Sequence, residues 1–428
     1  VIVRIEGLVS EGDGLARDDS GKVLFVPLTA PGDLVEIETV SSTPGYDTCR
    51  VLRLVEPSPA RRQPPCPAFP DCGGCQWQHV QYPAQLAAKG AILADALRRI
   101  GRFPFPDPLP VVPSPDEFHY RHRVQLKFLT RGGRPSWGFF SAASHRLVEI
   151  RRCMIAHPAI NALLPSLDLF LTDNGVDPRR LGTVELDVDG SGTRVACILH
   201  PRRRALDPGA HGVVTTAPGS EGGLLTIEFA NATQVRRMPV RPGWFTFESA
   251  GFTLSSGPGV FSQNNLSLNQ ELVRTVLGFA DASKEDDVAD IYCGVGNYSL
   301  PLAARARNVW AVENNRKACR YGEASAAEAG LRNIRFIQEN AQEAMAAMPA
   351  GLATVVINPP RVGAAEIMSP LAAMAPRRIV YVSCNPATLA RDLGVLVGMG
   401  YRVTRLAPFD MFPQTRHLET VALAERCS

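Results

Sequence analysis

No stretch of this sequence approaches the roughly 20 consecutive apolar residues that a bilayer-spanning helix needs, which argues against a helical membrane protein. The chain opens on Val-Ile-Val-Arg without a basic-then-apolar leader, so no secretion is expected. No internal repeat or low-complexity tract is visible, which argues against a repeat array. Net charge is also scarce: 45 Lys and Arg against 42 Asp and Glu leave +3, a total that says little about nucleic acid. Ten cysteines in 428 residues do not make a small disulfide scaffold, so a reducing, cytoplasmic setting is expected.

What is present is a soluble globular composition, 45% hydrophobic and 20% charged, in a chain long enough for two or three domains. The charge is unevenly placed. Residues 1–57 carry five basic against ten acidic residues, whereas 58–253 carry 23 against 16. Clusters at Arg98/Arg99/Arg102, Arg121/Arg123, Arg202/Arg203/Arg204 and Arg236/Arg237/Arg241 suit phosphate contacts, although solvated arginines explain any single cluster equally well.

Short strands separated by Gly and Pro run through 1–57, at 2–5, 23–26, 34–40 and 49–55, around a Gly-rich stretch at 7–14. They predict a small OB-like β-barrel. Pro57, Pro59, Pro64 and Pro65 form a linker. Apolar periodicity predicts a helix over 83–100, with Leu86, Ile92, Leu93, Ala96, Leu97 and Ile100 on one side. Alternation at 123–129, 183–188, 193–199 and 224–229 predicts antiparallel strands, followed by a hairpin over 245–254. From about 255 the pattern turns to strands alternating with helices, the signature of a parallel sheet covered by helices. The expected fold is multidomain α/β: barrel 1–57, central α+β domain 58–253, and Rossmann-like domain 254–428.

Asp290-Ile291-Tyr292-Cys293-Gly294-Val295-Gly296-Asn297 reads as a strand entering a glycine turn, and a second strand ends in Glu313 some 16 residues on. Glycines let a backbone approach a nucleoside, and the later carboxylate can accept from both ribose hydroxyls. The third position of the dinucleotide fingerprint holds Ser299, which disfavours NAD. Asn340 follows a strand at 334–338, where an amide can meet an adenine edge. Asn358-Pro359-Pro360-Arg361 closes another apolar strand with a stiff loop able to support a flat base. Cys384 stands at the polar exit of strand 379–382 rather than in its interior, which favours a nucleophile over a core thiol. Glu419, opening a last apolar segment, reads alone as a surface residue. Cys66, Cys72 and Cys75 form C-x5-C-x2-C in a Pro/Gly loop, with Cys153 much later. Four thiolates can hold a cubane cluster or a zinc ion, and spacing leaves that choice open, though it is not the C-x3-C-x2-C of radical enzymes.

The segments DIYCGVGNYSL, NPPR, VSCNPATLARD and DMFPQTRHLET, with FSQNN at 261–265, appear in the order found in the RNA 5-methyluridine (uracil-C5) methyltransferase family. The chain resembles that family along essentially its whole length, in the iron–sulfur, RumA-like branch that modifies 23S ribosomal RNA. The resemblance implies Cys384 as nucleophile and Glu419 as base. It places Gln263, Tyr292, Asn297, Glu313, Asn340 and Asn358 on S-adenosylmethionine, and Cys66, Cys72, Cys75 and Cys153 on a structural [4Fe–4S] cluster rather than zinc. It also makes the barrel a TRAM domain and the partner a structured RNA, from which the uridine must be flipped out. A cytoplasmic monomer without membrane contact is the default expectation. One position departs: the family usually has Asp where this chain has Asn358. Arg361 or Arg391 is a candidate helper for ionising Cys384. Three rivals stay open: a transfer RNA methyltransferase, a cytosine C5 methyltransferase, and an RNA-binding homologue weakened at Asn358.

Overall fold

The computed structural model describes residues 1–105, 109–173, 177–192, 195–201, 212–216, 245–257 and 259–427. The expected strand 224–229, the first two residues of the strand 193–199, and the arginines at 202–204, 236–237 and 241 lie outside the described residues. The chain divides into two compact units. One joins Val1–Glu117, Pro359–Ser369 and Tyr381–Ser428; the other comprises Phe118–Asn358 and Pro370–Val380.

The first unit begins with β1 (Ile2–Arg4), β2 (Gly7–Leu8), β3 (Gly14–Arg17), β4 (Val23–Val26), β5 (Leu34–Ser42) and β6 (Tyr46–Glu56), paired in the order β1-β5-β6-β4-β3-β2. Period-two alternation turns Val3, Ile5, Ala16, Leu24, Val26, Val35, Ile37 and Cys49 into one core. The stretch 7–14, expected only as a Gly-rich connection, supplies β2 and the start of β3. Gly14 is required there, because a Cβ would lie 2.0 Å from Thr29 Oγ1. Beyond the barrel, the fully buried Asp33 accepts hydrogen bonds from Arg61 Nη2 (2.6 Å), Ala30 N (2.7 Å) and Ser58 N (2.9 Å), which ties the linker to the barrel.

The helix expected over 83–100 is α1 (Tyr82–Ala96), which ends in a π-helical turn at Leu97–Gly101. Its buried face keeps Leu93 and Leu97 of the expected one, with Leu86, Ile92 and Ala96 half-buried, and adds polar residues beside them. Gln85, Ala88, Lys89, Gly90, Leu93, Ala94 and Leu97 are buried, while Ile100 is 45% exposed. Widening to a π turn changes the angle per residue and rotates Ile100 out. Gln85 and Lys89 point inward because buried polar partners await them, as described below.

The second unit opens with an antiparallel sheet of β7 (Arg123–Arg131), β8 (Arg134–Phe140), β9 (Leu147–Glu149), β10 (Leu181–Val188), β11 (Val195–Pro201) and β12 (Gly212–Thr216), ordered β12-β11-β10-β7-β8-β9. Trp137, on β8, is buried with its ring stacked on Phe128 and the Arg151 guanidinium 4.8 Å above it. That packing makes it part of the scaffold of this sheet. The expected hairpin is β13 (Phe245–Ser249) with β14 (Phe252–Ser256). After α2 (Leu266–Ala280) come β15 (Asp287–Ile291), α3 (Ser299–Ala303), β16 (Asn308–Glu313), α4 (Arg316–Glu328), β17 (Ile334–Gln338), α5 (Ala341–Ala346), β18 (Thr354–Ile357) and β19 (Arg378–Ser383). The strands stand in the order β17-β16-β15-β18-β19, with β15 parallel to both β16 and β18. Strand order reverses at β15, the point where open α/β sheets take ligands at their carboxyl ends.

The last three residues of β19 belong to the first unit, which continues through α6 (Pro386–Gly398), β20 (Tyr401–Phe409) and β21 (Glu419–Arg426) in the order β19-β21-β20. β20 and β21 are antiparallel, with Phe409 opposite Glu419. No helix among the described residues is long and apolar enough to cross a membrane.

Candidate active site

In the second unit the expected cofactor residues gather along the carboxyl edge of the parallel strands. Tyr292 follows β15 in a left-handed conformation (φ 64°), and Gly294 (φ 58°) and Gly296 (φ 91°) complete the turn. A Cβ on Gly296 would lie 2.7 Å from Leu300 Cδ1, so the turn packs only with glycine there. At Gly294 the space beyond the backbone is open, as a cradle for a ligand requires. Glu313 ends β16 beside this turn. Its two carboxylate oxygens accept from Gly294 N (3.0 Å) and Asn315 N (2.7 Å), and each keeps a lone pair for a ribose hydroxyl. Asn358, after β18, donates its main-chain N–H to Ile291 O at 3.2 Å and so sits level with the turn.

Three further positions are held by local bonds. Asn340 caps α5, its Oδ1 accepting from Glu343 N at 2.9 Å, which leaves its exposed amide NH2 group able to donate. Asn297 and the buried Asn269 exchange a reciprocal pair of amide hydrogen bonds, both 3.0 Å. Gln263 is 6% exposed in a segment pinned by two bonds, Arg123 Nη1 to Val260 O (2.8 Å) and His122 N to Asn264 O (3.0 Å). Residues expected to hold a nucleoside thus lie on loops fixed by the sheet and its flanking strands.

In the first unit, Cys384 lies just past β19 and directly before Asn385, whose side chain caps α6 through Ala387 N at 3.0 Å. Glu419, at the start of β21, is 4% exposed. Burial raises the Cys384 thiol to about 11, the nearby Glu419 adds to this, and Arg361, which also donates a hydrogen bond to the thiol, opposes it. Burial likewise lifts Glu419 to about 8, again opposed by Arg361. Of the two arginines proposed as helpers, Arg361 therefore faces the thiol. Arg391 does other work: it donates to Asp392 Oδ1 (2.8 Å) and Val362 O (3.0 Å). Fully buried Asp392 also accepts from Tyr381 Oη (2.6 Å) and Ala364 N (2.8 Å), while Asn385 Nδ2 reaches Arg361 O at 3.2 Å. The loop carrying Arg361 is thereby fastened to α6. Neither Asp392 nor Tyr381 was singled out from the sequence, and the Arg-Asp pair ending LARD was the available signal.

A buried carboxyl with a raised pKa makes a prediction about stability. Glu419 ionises near its ordinary value in the unfolded chain and near 8 in the folded one, so native stability falls as pH rises between those values. Glu419→Gln does not titrate. Its melting temperature, measured without ligands, is expected to exceed that of the native protein at pH 8, by about 2 °C or more. The gap is expected to close towards pH 5. An equal gap at both pH values would show that Glu419 is not a strained carboxyl.

The four grouped cysteines fall in both units. Cys66 and Cys72 are turned by the bonds Phe69 N to Cys66 O (3.1 Å) and Cys72 N to Ala68 O (2.8 Å). Cys153 is bracketed by Asn161, which accepts from its N–H (2.8 Å) and donates to its carbonyl (3.0 Å). Among the described residues no three His, Cys, Asp or Glu side chains stand together as a metal-holding group, so this geometry does not by itself define a ligand set for a cluster or for zinc.

Comparison with known proteins meets this geometry. The family model described as tRNA (Uracil-5-)-methyltransferase matches residues 248–427, and the TRAM domain model matches residues 1–51. A Salmonella choleraesuis protein named 23S rRNA (uracil(1939)-C(5))-methyltransferase RlmD is 36% identical over 437 residues, covering 100% of this chain and 96% of that protein. The protein of the same name from Pectobacterium atrosepticum is 33% identical, covering 98% and 92%. The crystal structure of Pyrococcus abyssi tRNA (uracil-54, C5)-methyltransferase with S-adenosyl-L-homocysteine superposes with a TM-score of 0.71 at 25% identity, covering 99% of this chain and 100% of that one. The chain belongs to the RNA uracil-C5 methyltransferase family. It is an S-adenosylmethionine-dependent RNA methyltransferase with an N-terminal TRAM domain.

Proposed function

We propose that this enzyme methylates carbon 5 of one uridine in 23S ribosomal RNA through a covalent bond between Cys384 and uracil carbon 6. The observation that carries the mechanism is the grouping of a half-buried thiol, a buried carboxyl and the Arg361 guanidinium in the first unit. The full-length relatives named for uracil 1939 support the choice of ribosomal RNA.

Carbon 5 of uracil is a weak nucleophile, and Cys384 overcomes this by adding to carbon 6. The S–C6 bond forms as the C5–C6 π pair moves onto carbon 5 and O4. Because burial holds the thiol protonated at rest, its proton must pass to solvent before attack, and the positive charge of Arg361 favours the thiolate left behind. S-adenosylmethionine, when bound, supplies an electrophilic methyl group that carbon 5 takes. Glu419 then accepts the carbon-5 proton. The released pair restores the double bond and expels the Cys384 thiolate.

Glu313 would take the ribose hydroxyls, Asn340 the adenine edge, and Gln263, Tyr292, Asn297 and Asn358 the remaining cofactor contacts. Asn358 brings no negative charge, but its amide can accept from uracil N3–H and donate to O4. By function, residues 1–57 bind RNA, 58–253 form the cysteine-bearing central domain and 254–428 the methyltransferase domain, in a cytoplasmic monomer. A [4Fe–4S] cluster on Cys66, Cys72, Cys75 and Cys153 rests on the match of these positions to the family pattern and on thiolate chemistry, and no catalytic step is assigned to it. Protein purified without oxygen is expected to hold about four irons and four acid-labile sulfides per chain. Stoichiometric zinc, or neither metal, would reject the cluster.

Mass analysis of nucleosides tests the substrate. Unmodified 23S rRNA, bulk transfer RNA and cofactor are incubated separately with the protein. 5-Methyluridine in 23S rRNA alone is the expected result. The same product in transfer RNA alone would move the substrate to the class named for the Pyrococcus abyssi enzyme, and 5-methylcytidine would overturn uridine chemistry altogether.

A further inference from the structure

Of the motif Asp410–Glu419, the proposed mechanism uses only the last residue. The loop before Glu419, between β20 and β21, is nevertheless among the most tightly held segments of the first unit. Asp410, Met411 and Gln414 have no exposed surface, and Thr415 and Leu418 keep 2% each. Lys89 on α1, itself fully buried, donates to Asp410 Oδ1 (2.5 Å) and Phe412 O (3.1 Å) at the start of the loop. The far end is fixed by the pairing of Phe409 with Glu419.

Gln414 is the hub between these ends. It has φ 68°, in the left-handed region that ordinarily favours glycine. All four of its polar groups are bonded. Its carbonyl accepts from Gln76 N (3.1 Å) and Trp77 N (3.0 Å). Its N–H donates to Gln85 Oε1 (2.9 Å), and its Oε1 accepts from Arg62 Nη2 (2.7 Å) and Gln85 Nε2 (3.0 Å). Its Nε2 reaches Glu117 Oε2 at 3.3 Å, and Arg62 pairs with that same carboxylate at 2.8 Å. A non-glycine residue keeps such a conformation only where its surroundings over-determine it, and such places concentrate at functional sites.

We propose that Gln414 is a positioning residue for Glu419: the strained, fully bonded turn sets where the carboxylate stands when it takes the carbon-5 proton. This rests on Glu419 acting as that base. Glu419 is five residues further along the chain, and the peptide between is braced by Thr415 Oγ1, which donates to Phe412 O (2.8 Å) and accepts from His417 N (3.3 Å). A displacement of about 1 Å at a reacting group can cost on the order of a hundredfold. Glu419 acts after methyl transfer, so its displacement slows the last step and spares the earlier ones. A loop serving only the fold would affect all steps together.

The test uses full-length protein in single turnover with a 23S rRNA transcript carrying tritium at uracil carbon 5 and cofactor carrying a carbon-14 methyl. Gln414→Ala is expected to place carbon-14 in a denaturation-resistant protein–RNA complex at the native rate. Tritium release is expected to be slowed about ten- to a hundredfold. Parallel slowing of both labels, or neither slowing, overturns the proposal. If the alanine variant no longer binds S-adenosylhomocysteine by calorimetry, Gln414→Gly, which relieves the left-handed strain but removes the same side-chain bonds, is judged by the same criterion. Loss of binding in both variants also overturns it. Native protein that releases no tritium, and forms no complex dependent on Cys384, would instead refute the covalent mechanism.

Discussion

Cys384→Ala is expected to abolish tritium release from RNA labelled at uracil carbon 5, with a fall of about a thousandfold or more, equivalent to ~4 kcal/mol of lost transition-state stabilisation. The size follows from chemistry rather than from contacts. Without a sulfur on carbon 6, carbon 5 has no enolate character and the methyl group meets a poor nucleophile. The variant should still bind S-adenosylhomocysteine with native affinity, because the expected cofactor residues stand on the second unit's strand ends, whereas Cys384 belongs to the first. Calorimetry and tritium release on one preparation check both halves. Residual release above about a tenth of native would show that another group attacks carbon 6.

Glu419→Gln is expected to fail at the opposite end of the reaction. Addition and methyl transfer need no carboxylate, so methylated RNA should remain attached to Cys384 and survive denaturing electrophoresis. Turnover should drop by about 10²–10⁴, the range ordinarily supplied by a positioned general base. The pH dependence carries a sign. Glu419 ionises near 8 in the resting protein, so the native final step should accelerate from pH 6 to about 8 and then level off. In the glutamine variant that rise should vanish. Native and variant profiles of the same shape would assign the proton to another base. The stability gain expected of the same variant in the alkaline range is the other side of this: on the proposed mechanism, a carboxyl kept buried at a cost is one with a proton to remove.

Much of the strand-end geometry expected to meet the cofactor was legible in the sequence because each part of it is local. A strand, two glycines and a later acid are a few residues of contiguous chain, and the parallel sheet aligns Tyr292, Glu313 and Asn358 without further information. Cys384 was legible for a related reason: polar residues mark a strand's exit. The strand β8, which holds Pro135 and Gly138, was not among the expected strands. Gly138 is what lets β9 approach, since a Cβ there would meet Val148 O at 1.9 Å. That α1 also buries Gln85 and Lys89 was not legible, for a deeper reason. Lys89 and Gln85 point inward only because Asp410 and Gln414, more than 300 residues away in sequence, complete them. No period within one helix encodes that. The choice between Arg361 and Arg391 was equally non-local, decided by which of them Asp392 restrains.

The interleaving of the first unit bears on how the enzyme is made. Trp77, Gln85 and Lys89 leave the ribosome well before their partners in the 410–414 loop, with Lys89 and Asp410 separated by 321 positions. At ordinary translation speeds that is a wait of roughly half a minute. Meanwhile an ammonium destined for a fully buried site has only water and passing chaperones for company. A nascent chain can therefore hold most of the second unit, Phe118–Asn358, before the proposed nucleophile and base exist. The first unit closes only once the 410–419 segment has been made, so a chain terminated before it lacks the proposed base and the partners of its buried lysine and glutamine.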